Sequence, residues 1–339
     1  MKRVDIVLAG FGNVGRALAR LLADRQDLLR NRYGLSPKLR AIFRSTGGLM
    51  VRSPAAVEGL ILGEALPARK AALWDPKIML PAALKLDRPG VFVDCTPGNI
   101  RTGQPGLDQM RLALGRGWHV VTANKGPLVV GYRELRRAAA GRGLGLRFSA
   151  AAGAALPALD VGLRSLAGTR ITAIEGILNG TTNYILTRLG QGATFGGALK
   201  EAQDKGIAEP DPTLDLEGWD TAVKLLLIAN AVMGLELKLE DIDVEPMSGV
   251  SPRALAFARK NGRALKFLGR IGPGRGGVTA DVRVRAVASS HPLFGVDGTN
   301  KGVTFVTDTM GSVTVTGGRS DPRGAAAALL KDIIDIYRN

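Results

Sequence analysis

Residues 4 to 22 restrict the fold of this chain more than any other stretch. Val4 to Ala9 is an unbroken apolar run of strand length, and it enters Gly10-Phe11-Gly12-Asn13-Val14-Gly15 and leaves as the helix-forming Arg16-Ala17-Leu18-Ala19-Arg20-Leu21-Leu22. A G-x-G-x-x-G set between a strand and a helix has a definite mechanics. Gly10 makes the tight turn, Gly12 lets a pyrophosphate approach the backbone, and Gly15 lets the helix pack close to the strand. Phe11, Asn13 and Val14 fill the same loop, and the phosphates rest on the N-terminal amides of the helix. The pattern predicts a Rossmann-type, doubly wound dinucleotide-binding lobe; the bland alternative is a glycine-rich turn with no ligand.

The strands that follow place further residues at the same edge. Residues 38 to 43 read as the second strand, after which such folds usually carry an acidic residue for the ribose hydroxyls. Arg44 and Ser45 stand there instead, a guanidinium beside a hydroxyl, which suits a 2′-phosphate and favours NADP over NAD. Arg52 adds a second charge if the loop through Gly47 and Gly48 folds back. Val91-Phe92-Val93-Asp94 and Val120-Val121-Thr122 are two more buried strands. Ligands of a doubly wound sheet lie beyond the C-terminal strand ends, which places Thr96, Pro97, Asn124 and Lys125 toward the cofactor.

A second concentration of charge lies at Glu209 to Lys224, where Glu209, Asp211, Asp215, Glu217 and Asp220 precede one lysine at the foot of an apolar helix. Pro210 and Pro212 rule out a regular helix in the first half, which reads as a rigid turn with outward carboxylates. From Glu217 the pattern is helical as far as Gly234. Asp220 and Lys224, four apart, share a face of it. Lys224 could bind, polarise or protonate an oxygen; the bland reading is a solvated pair worth a few tenths of a kcal/mol.

Composition narrows the class. A chain of 339 residues is long for one core, so two lobes are expected, and 45% hydrophobic residues suffice to pack them. The 46 Lys and Arg against 30 Asp and Glu give +16, yet the basic residues are dispersed and only 5% of residues are aromatic, which argues against a nucleic-acid partner. No apolar run is long enough to span a bilayer, and the apolar part of the N-terminus is only a strand long, so the chain reads as cytoplasmic. Cys95 is the single cysteine, and His119 and His291 the only histidines, which leaves no disulfide, cysteine cluster or histidine relay.

With these blocks in place the chain resembles the homoserine dehydrogenase family. The resemblance rests on the glycine fingerprint, Asp94-Cys95-Thr96-Pro97, Thr122-Ala123-Asn124-Lys125-Gly126-Pro127 and Gly176-Ile177-Leu178-Asn179-Gly180-Thr181-Thr182-Asn183-Tyr184. It continues through Glu201-Ala202-Gln203, the acidic stretch to Lys224, and His291-Pro292-Leu293 with Gly295-Val296. It implies reversible, NAD(P)-dependent interconversion of L-homoserine and L-aspartate 4-semialdehyde, a step of threonine and methionine biosynthesis. The lysine matching Lys224 is then the proton donor, with Asp220 orienting it, and Lys125 lies near substrate and nicotinamide. Glu209 and Asp215 meet the substrate ammonium, while Gly180 and Thr181 border the pocket. The chemistry agrees with the residues: hydride arriving at an aldehyde carbon leaves negative charge on oxygen, which an ammonium both stabilises and protonates.

One departure stands at Ser149, where many relatives begin a cation-binding stretch with a glutamate. The carbonyls of Ala152, Ala154 and Leu156 remain for a sodium or potassium ion; the alternative is a small-residue segment for close packing. Residues 1 to 147 and 320 to 339 are expected to form the nucleotide lobe. Residues 148 to 319 are expected to form an α+β substrate-binding and dimerisation lobe, with strands at 279 to 288 and 303 to 316. The resemblance further implies a homodimer and, from the chain's end, a short form without a regulatory domain. Competing readings are an oxidoreductase acting on another amino-acid aldehyde or an imine, and a protein that holds NADP tightly as a sensor or locked form.

Overall fold

The computed structural model describes residues 1–51, 74–85, 88–247, 250–318 and 321–338. Arg52 lies outside them. Two compact units are present, one of Met1–Ala151 with Asp321–Asn339 and one of Ala152–Ser320.

The first unit is built on a six-stranded sheet in the order β3-β2-β1-β4-β5-β6. Its strands are β1 (Lys2–Ala9), β2 (Leu35–Arg44), β3 (Gly47–Met50), β4 (Val91–Asp94), β5 (His119–Thr122) and β6 (Leu146–Arg147). All neighbours pair in parallel except β2 with β3. This is the strand order of a doubly wound nucleotide fold, in which the reversal beside β1 opens a crevice at the C-terminal strand ends. The Gly47-Gly48 pair, read as a loop, instead starts β3, which turns back on β2 with Arg44 opposite Gly47.

Helix α1 (Asn13–Asp24) covers the sheet with Gly15, Leu18, Ala19 and Leu22 buried, spacings that put them on one face. Helix α2 (Gly126–Ala140) follows β5. The final helix of the chain, Pro322–Arg338, adds Ala326, Leu329, Leu330 and Ile333 to the same core as Leu18, Ala19 and Leu22. That apolar contact is why the C-terminal segment belongs to the unit the N-terminus begins.

The second unit has a mixed sheet in the order β12-β11-β7-β9-β10-β8. It consists of β7 (Ile171–Ile177), β8 (Ile242–Val244), β9 (Ala264–Gly274), β10 (Gly277–Val287), β11 (Lys301–Thr307) and β12 (Ser312–Gly317). Only β8 with β10 is parallel. Helices α3 (Gly180–Gly190) and α4 (Trp219–Val232) accompany this sheet. Helix α4 is apolar on nearly every side, with Ala222, Val223 and the run Leu225 to Ala229 all buried, the profile of a core helix rather than a surface one. Gly269 of β9 admits it closely: a Cβ there would stand 3.2 Å from the Thr221 methyl and 3.4 Å from Leu225. The Rossmann-type lobe and the α+β lobe read from the sequence are both present. Among the described residues no helix is long and apolar enough to cross a membrane.

Candidate active site

In the first unit the glycine loop has the shape its sequence predicts. Gly10 adopts φ +86°, and a Cβ on it would fall 2.5 Å from the Cys95 carbonyl group. A Cβ on Gly15 would collide with the Gly10 carbonyl oxygen at 2.1 Å. Gly12 differs, because nothing lies within 4 Å of where its Cβ would be. The first and third glycines are therefore required by the protein itself, whereas a Cβ on the second would meet no protein atom. Gly12 and Asn13 are exposed, Val14 is half-buried and Phe11 is buried, so the backbone of the loop rather than the Phe11 ring faces outward.

Arg44 and Ser45 are exposed at the end of β2, and Arg44 has its guanidinium carbon 5.1 Å from the centre of the Trp74 ring. They line a 410 Å³ cavity with Ala9, Thr46, Pro76 and Pro105. The cavity lies at the C-terminal ends of β1 and β2, where the sequence placed a phosphorylated ribose.

Thr96 and Asn124 are arranged differently from a simple ligand-facing pair. Asp94, with no exposed surface, accepts from the Thr96 amide at 2.8 Å, the Thr96 hydroxyl at 2.6 Å and Asn124 Nδ2 at 3.0 Å. Asn124 Nδ2 also donates to Thr96 Oγ1 at 3.0 Å, and its Oδ1 accepts from the Gly126 amide at 3.1 Å. Burial pushes the Asp94 carboxyl up from its usual range, and these hydrogen bonds oppose the shift. The polar groups of Thr96 and Asn124 thus tie the ends of β4 and β5 together through Asp94. Pro97 is exposed, and Lys125 is half-buried at the N-cap of α2. In the sequence the only signal of Asp94 is a charged residue closing an apolar strand.

The second unit gathers the acidic stretch around one lysine. Gly218, at φ +90°, breaks the chain between a short helix, Thr213–Leu216, and α4, so α4 starts at Trp219 rather than Glu217. Asp220 and Lys224 share a face of α4 as their spacing requires, with Lys224 Nζ 2.6 Å from Asp220 Oδ2. Their side chains are only 14% and 8% exposed, so this is not the solvated surface pair of the bland reading. Lys224 Nζ also donates to the Leu178 carbonyl at 3.0 Å. One of its three N–H bonds has no partner among the described residues.

Asn179 organises the carboxylates. It caps α3, its Oδ1 accepting from the Thr182 amide at 2.9 Å, and its Nδ2 donates to Asp215 Oδ1 at 2.7 Å and Asp220 Oδ2 at 2.8 Å. Asp220 Oδ2 therefore receives both Asn179 and Lys224. Burial, and after it the charge of Asp220, hold the Asp215 carboxyl above the usual range, while Lys224, Thr181 and Asn179 oppose the shift. Gly180 opens α3, and Thr181 beside it donates its hydroxyl to the Ile207 carbonyl at 3.1 Å. Glu209 lies exposed on the turn, with Gln203 Nε2 3.3 Å from the neighbouring Pro210 carbonyl. Asp215, Asp220 and Lys224 are thus brought into one network, with Glu209 outside it. Asn179 was missed as a site residue, although an Asn ahead of a helix is a capping signal.

Residues 157–334 match the family model described as homoserine dehydrogenase. Over 344 residues, 99% of both chains, the sequence is 37% identical to a homoserine dehydrogenase of Methanocaldococcus jannaschii. It is 32% identical to an NAD(+)-dependent homoserine dehydrogenase of Pseudomonas canavaninivorans, over all of this chain and 97% of the other. The fold is similar to the crystal structure of a putative homoserine dehydrogenase from Archaeoglobus fulgidus, with a TM-score of 0.86, 30% identity, and 99% and 100% of the two chains covered.

Proposed function

The chain belongs to the homoserine dehydrogenase family, an NAD(P)-dependent oxidoreductase family, and from that premise we propose the division of labour among its residues. Lys224 is the proton donor in the reduction of L-aspartate 4-semialdehyde to L-homoserine, and NADP is the preferred cofactor. The observation that carries the first assignment is the ammonium of Lys224, fixed by Asp220 and the Leu178 carbonyl with one N–H left to give.

When bound, the nicotinamide supplies or receives the hydride. The protein's part is electrostatic. Negative charge develops on the carbonyl oxygen as the aldehyde is reduced, and a fixed ammonium stabilises it without reorganising at the moment of reaction. Lys224 then passes its proton to that oxygen. Asp220, held by Asn179 on the same oxygen that meets Lys224, keeps the ammonium in place and acts as a positioning residue. Asp215 takes the ammonium group of the substrate, and Gly180 and Thr181 border it; Glu209 contributes from the exposed turn. Gly12 and the amides that open α1 receive the pyrophosphate, and Arg44 with Ser45 receives the 2′-phosphate. Lys125 supports the nicotinamide end. The protein acts as a homodimer in the cytoplasm, and light scattering on the eluted peak gives the subunit count directly.

Substitution of Lys224 tests the central assignment. Lys224→Met is expected to lower turnover by about 10²–10⁴-fold, the usual worth of a positioned acid. NADPH affinity, followed by the fluorescence of the reduced nicotinamide, stays as it was, because the residues assigned to the dinucleotide belong to the other unit. Near-normal turnover in Lys224→Met would remove Lys224 from the role.

A further inference from the structure

The segment Ala152 to Leu156, in which the sequence offers the carbonyls of Ala152, Ala154 and Leu156 to a sodium or potassium ion, has an unusual backbone. Ala154 sits at φ +51°, the one positive-φ non-glycine among the described residues, a strained conformation for an L side chain. Gly153 is needed beside it, since a Cβ there would meet the Leu156 carbonyl oxygen at 2.3 Å. Two of the segment's carbonyls already accept internal hydrogen bonds. Gly153 receives the Leu156 amide at 3.0 Å, and Leu156 receives the Ala158 amide at 2.8 Å.

Into this segment reaches Lys301, the first residue of β11. Its side chain is among the largest fully buried ones, 2% exposed, and its Nζ donates to the Gly153 carbonyl oxygen at 3.1 Å. A buried ammonium is retained only where it is compensated. Here part of that compensation is a backbone carbonyl of the strained segment. An alkylammonium is close in size to a potassium ion and is solvated by the same carbonyl oxygens. A second cation beside it would meet a fixed like charge across a poorly screened distance.

Ser149 brings no formal negative charge ahead of the segment. Where a carboxylate would supply negative charge, the Ser149 amide and hydroxyl each donate to the buried Asp332 at 2.8 Å. The Ser149 oxygen in turn accepts from Lys331 Nζ at 2.9 Å. This position is thus occupied by a neutral hydroxyl already committed to an internal ion pair.

We propose that Lys301 is the resident cation of the 152–156 segment. Its ammonium does the structural work of a monovalent metal ion, and the protein neither requires nor admits a free sodium or potassium ion there. The proposal is independent of which substrate the enzyme turns over, so its test reads stability as well as rate.

Melting temperature and homoserine oxidation are measured in NaCl, KCl and choline chloride at equal ionic strength, on the wild type and on Lys301→Met, which keeps the stem and removes the charge. The wild type is expected to behave alike in the three salts. Lys301→Met is expected to melt roughly 3–10 °C lower in choline chloride and to regain part of the loss in NaCl or KCl. A saturable gain of the wild type in sodium or potassium over choline would overturn the proposal. So would a Lys301→Met protein that melts like the wild type in every salt. Should Lys301→Met fail to fold, the wild-type comparison decides alone. Absence of homoserine oxidation in the wild type, with its melting alike in the three salts, would count against the proposed reaction, not against Lys301.

Discussion

Replacing Asn179 tests whether the carboxylates around Lys224 work as one electrostatic unit. The Asn179 amide bridges Asp215 and Asp220 with bonds of 2.7 and 2.8 Å, so the two bonded oxygens lie no more than about 5.5 Å apart. At an effective dielectric of about 20, two unit charges at that separation repel by roughly 3 kcal/mol, which the amide now offsets. Asn179→Ala removes both bonds and the cap on α3. The cap alone is worth about 1 kcal/mol, or about 2–4 °C in melting temperature for a unit of this size. The two lost charge-assisted bonds, at roughly 1.5–3 kcal/mol each and so about 3–6 kcal/mol together, predict a fall in kcat/KM for homoserine of up to about 10²–10⁴-fold at a fixed pH.

The pH profile separates the two effects. Asp215 already has its pKa raised by burial and then by Asp220. Its contribution to stability is therefore present at low pH and is lost as pH rises through the folded-state pKa. Binding a substrate ammonium needs the ionised form, so kcat/KM falls on the acid side. Without the amide the acid limb moves to higher pH. Asn179→Ser restores a cap but not the bridge, so it is expected to recover the melting temperature while keeping the displaced limb. If kcat/KM profiles of Asn179→Ala and the wild type superimpose apart from a constant factor, the amide is only a cap and the coupling argument fails.

Arg44→Ala is expected to lower kcat/KM with NADP by about 10–100-fold and to leave NAD nearly unchanged, since a lost charge-assisted phosphate contact is worth roughly 1.5–3 kcal/mol; equal losses with both cofactors would refute a 2′-phosphate role. Gly12→Ala is expected to fold normally and raise the cofactor KM, because its Cβ meets nothing in the protein, whereas Gly15→Ala is expected to lose stability outright, with its Cβ 2.1 Å from the Gly10 oxygen. Thermal melts beside cofactor titrations distinguish the pair. Ser149→Ala leaves buried Asp332 with one fewer donor, which predicts a loss of roughly 1.5–3 kcal/mol and a visibly lower melting temperature.

What the sequence disclosed follows the range of the interactions involved. The turn at Gly10 to Gly15 and the Asp220 to Lys224 pair are set by neighbours a few residues away, so their spacing was enough to read them. The start of α4 was misread by two residues because Gly218 breaks the helix, and a Cβ on it would approach Val244, Phe267 and Val282, all distant in sequence. Asn179 reaches partners 36 and 41 positions away, and Lys301 reaches one 148 away. No periodicity encodes such contacts.

A reacting group such as Lys224 announces itself by its type and by charged residues close to it in the chain. The groups that fix the backbone around such sites are polar residues recognisable only when the fold has brought their partners together. Asn179, Asp94 and Lys301 are of this second kind. Each is committed to hydrogen bonds that span elements, so removing one disturbs more than a single contact. Substitutions at Asn179 are where activity and stability are expected to fall together. At Lys224 turnover falls furthest, and the melting temperature falls with it, because Asp220, 8% exposed, loses its cationic partner.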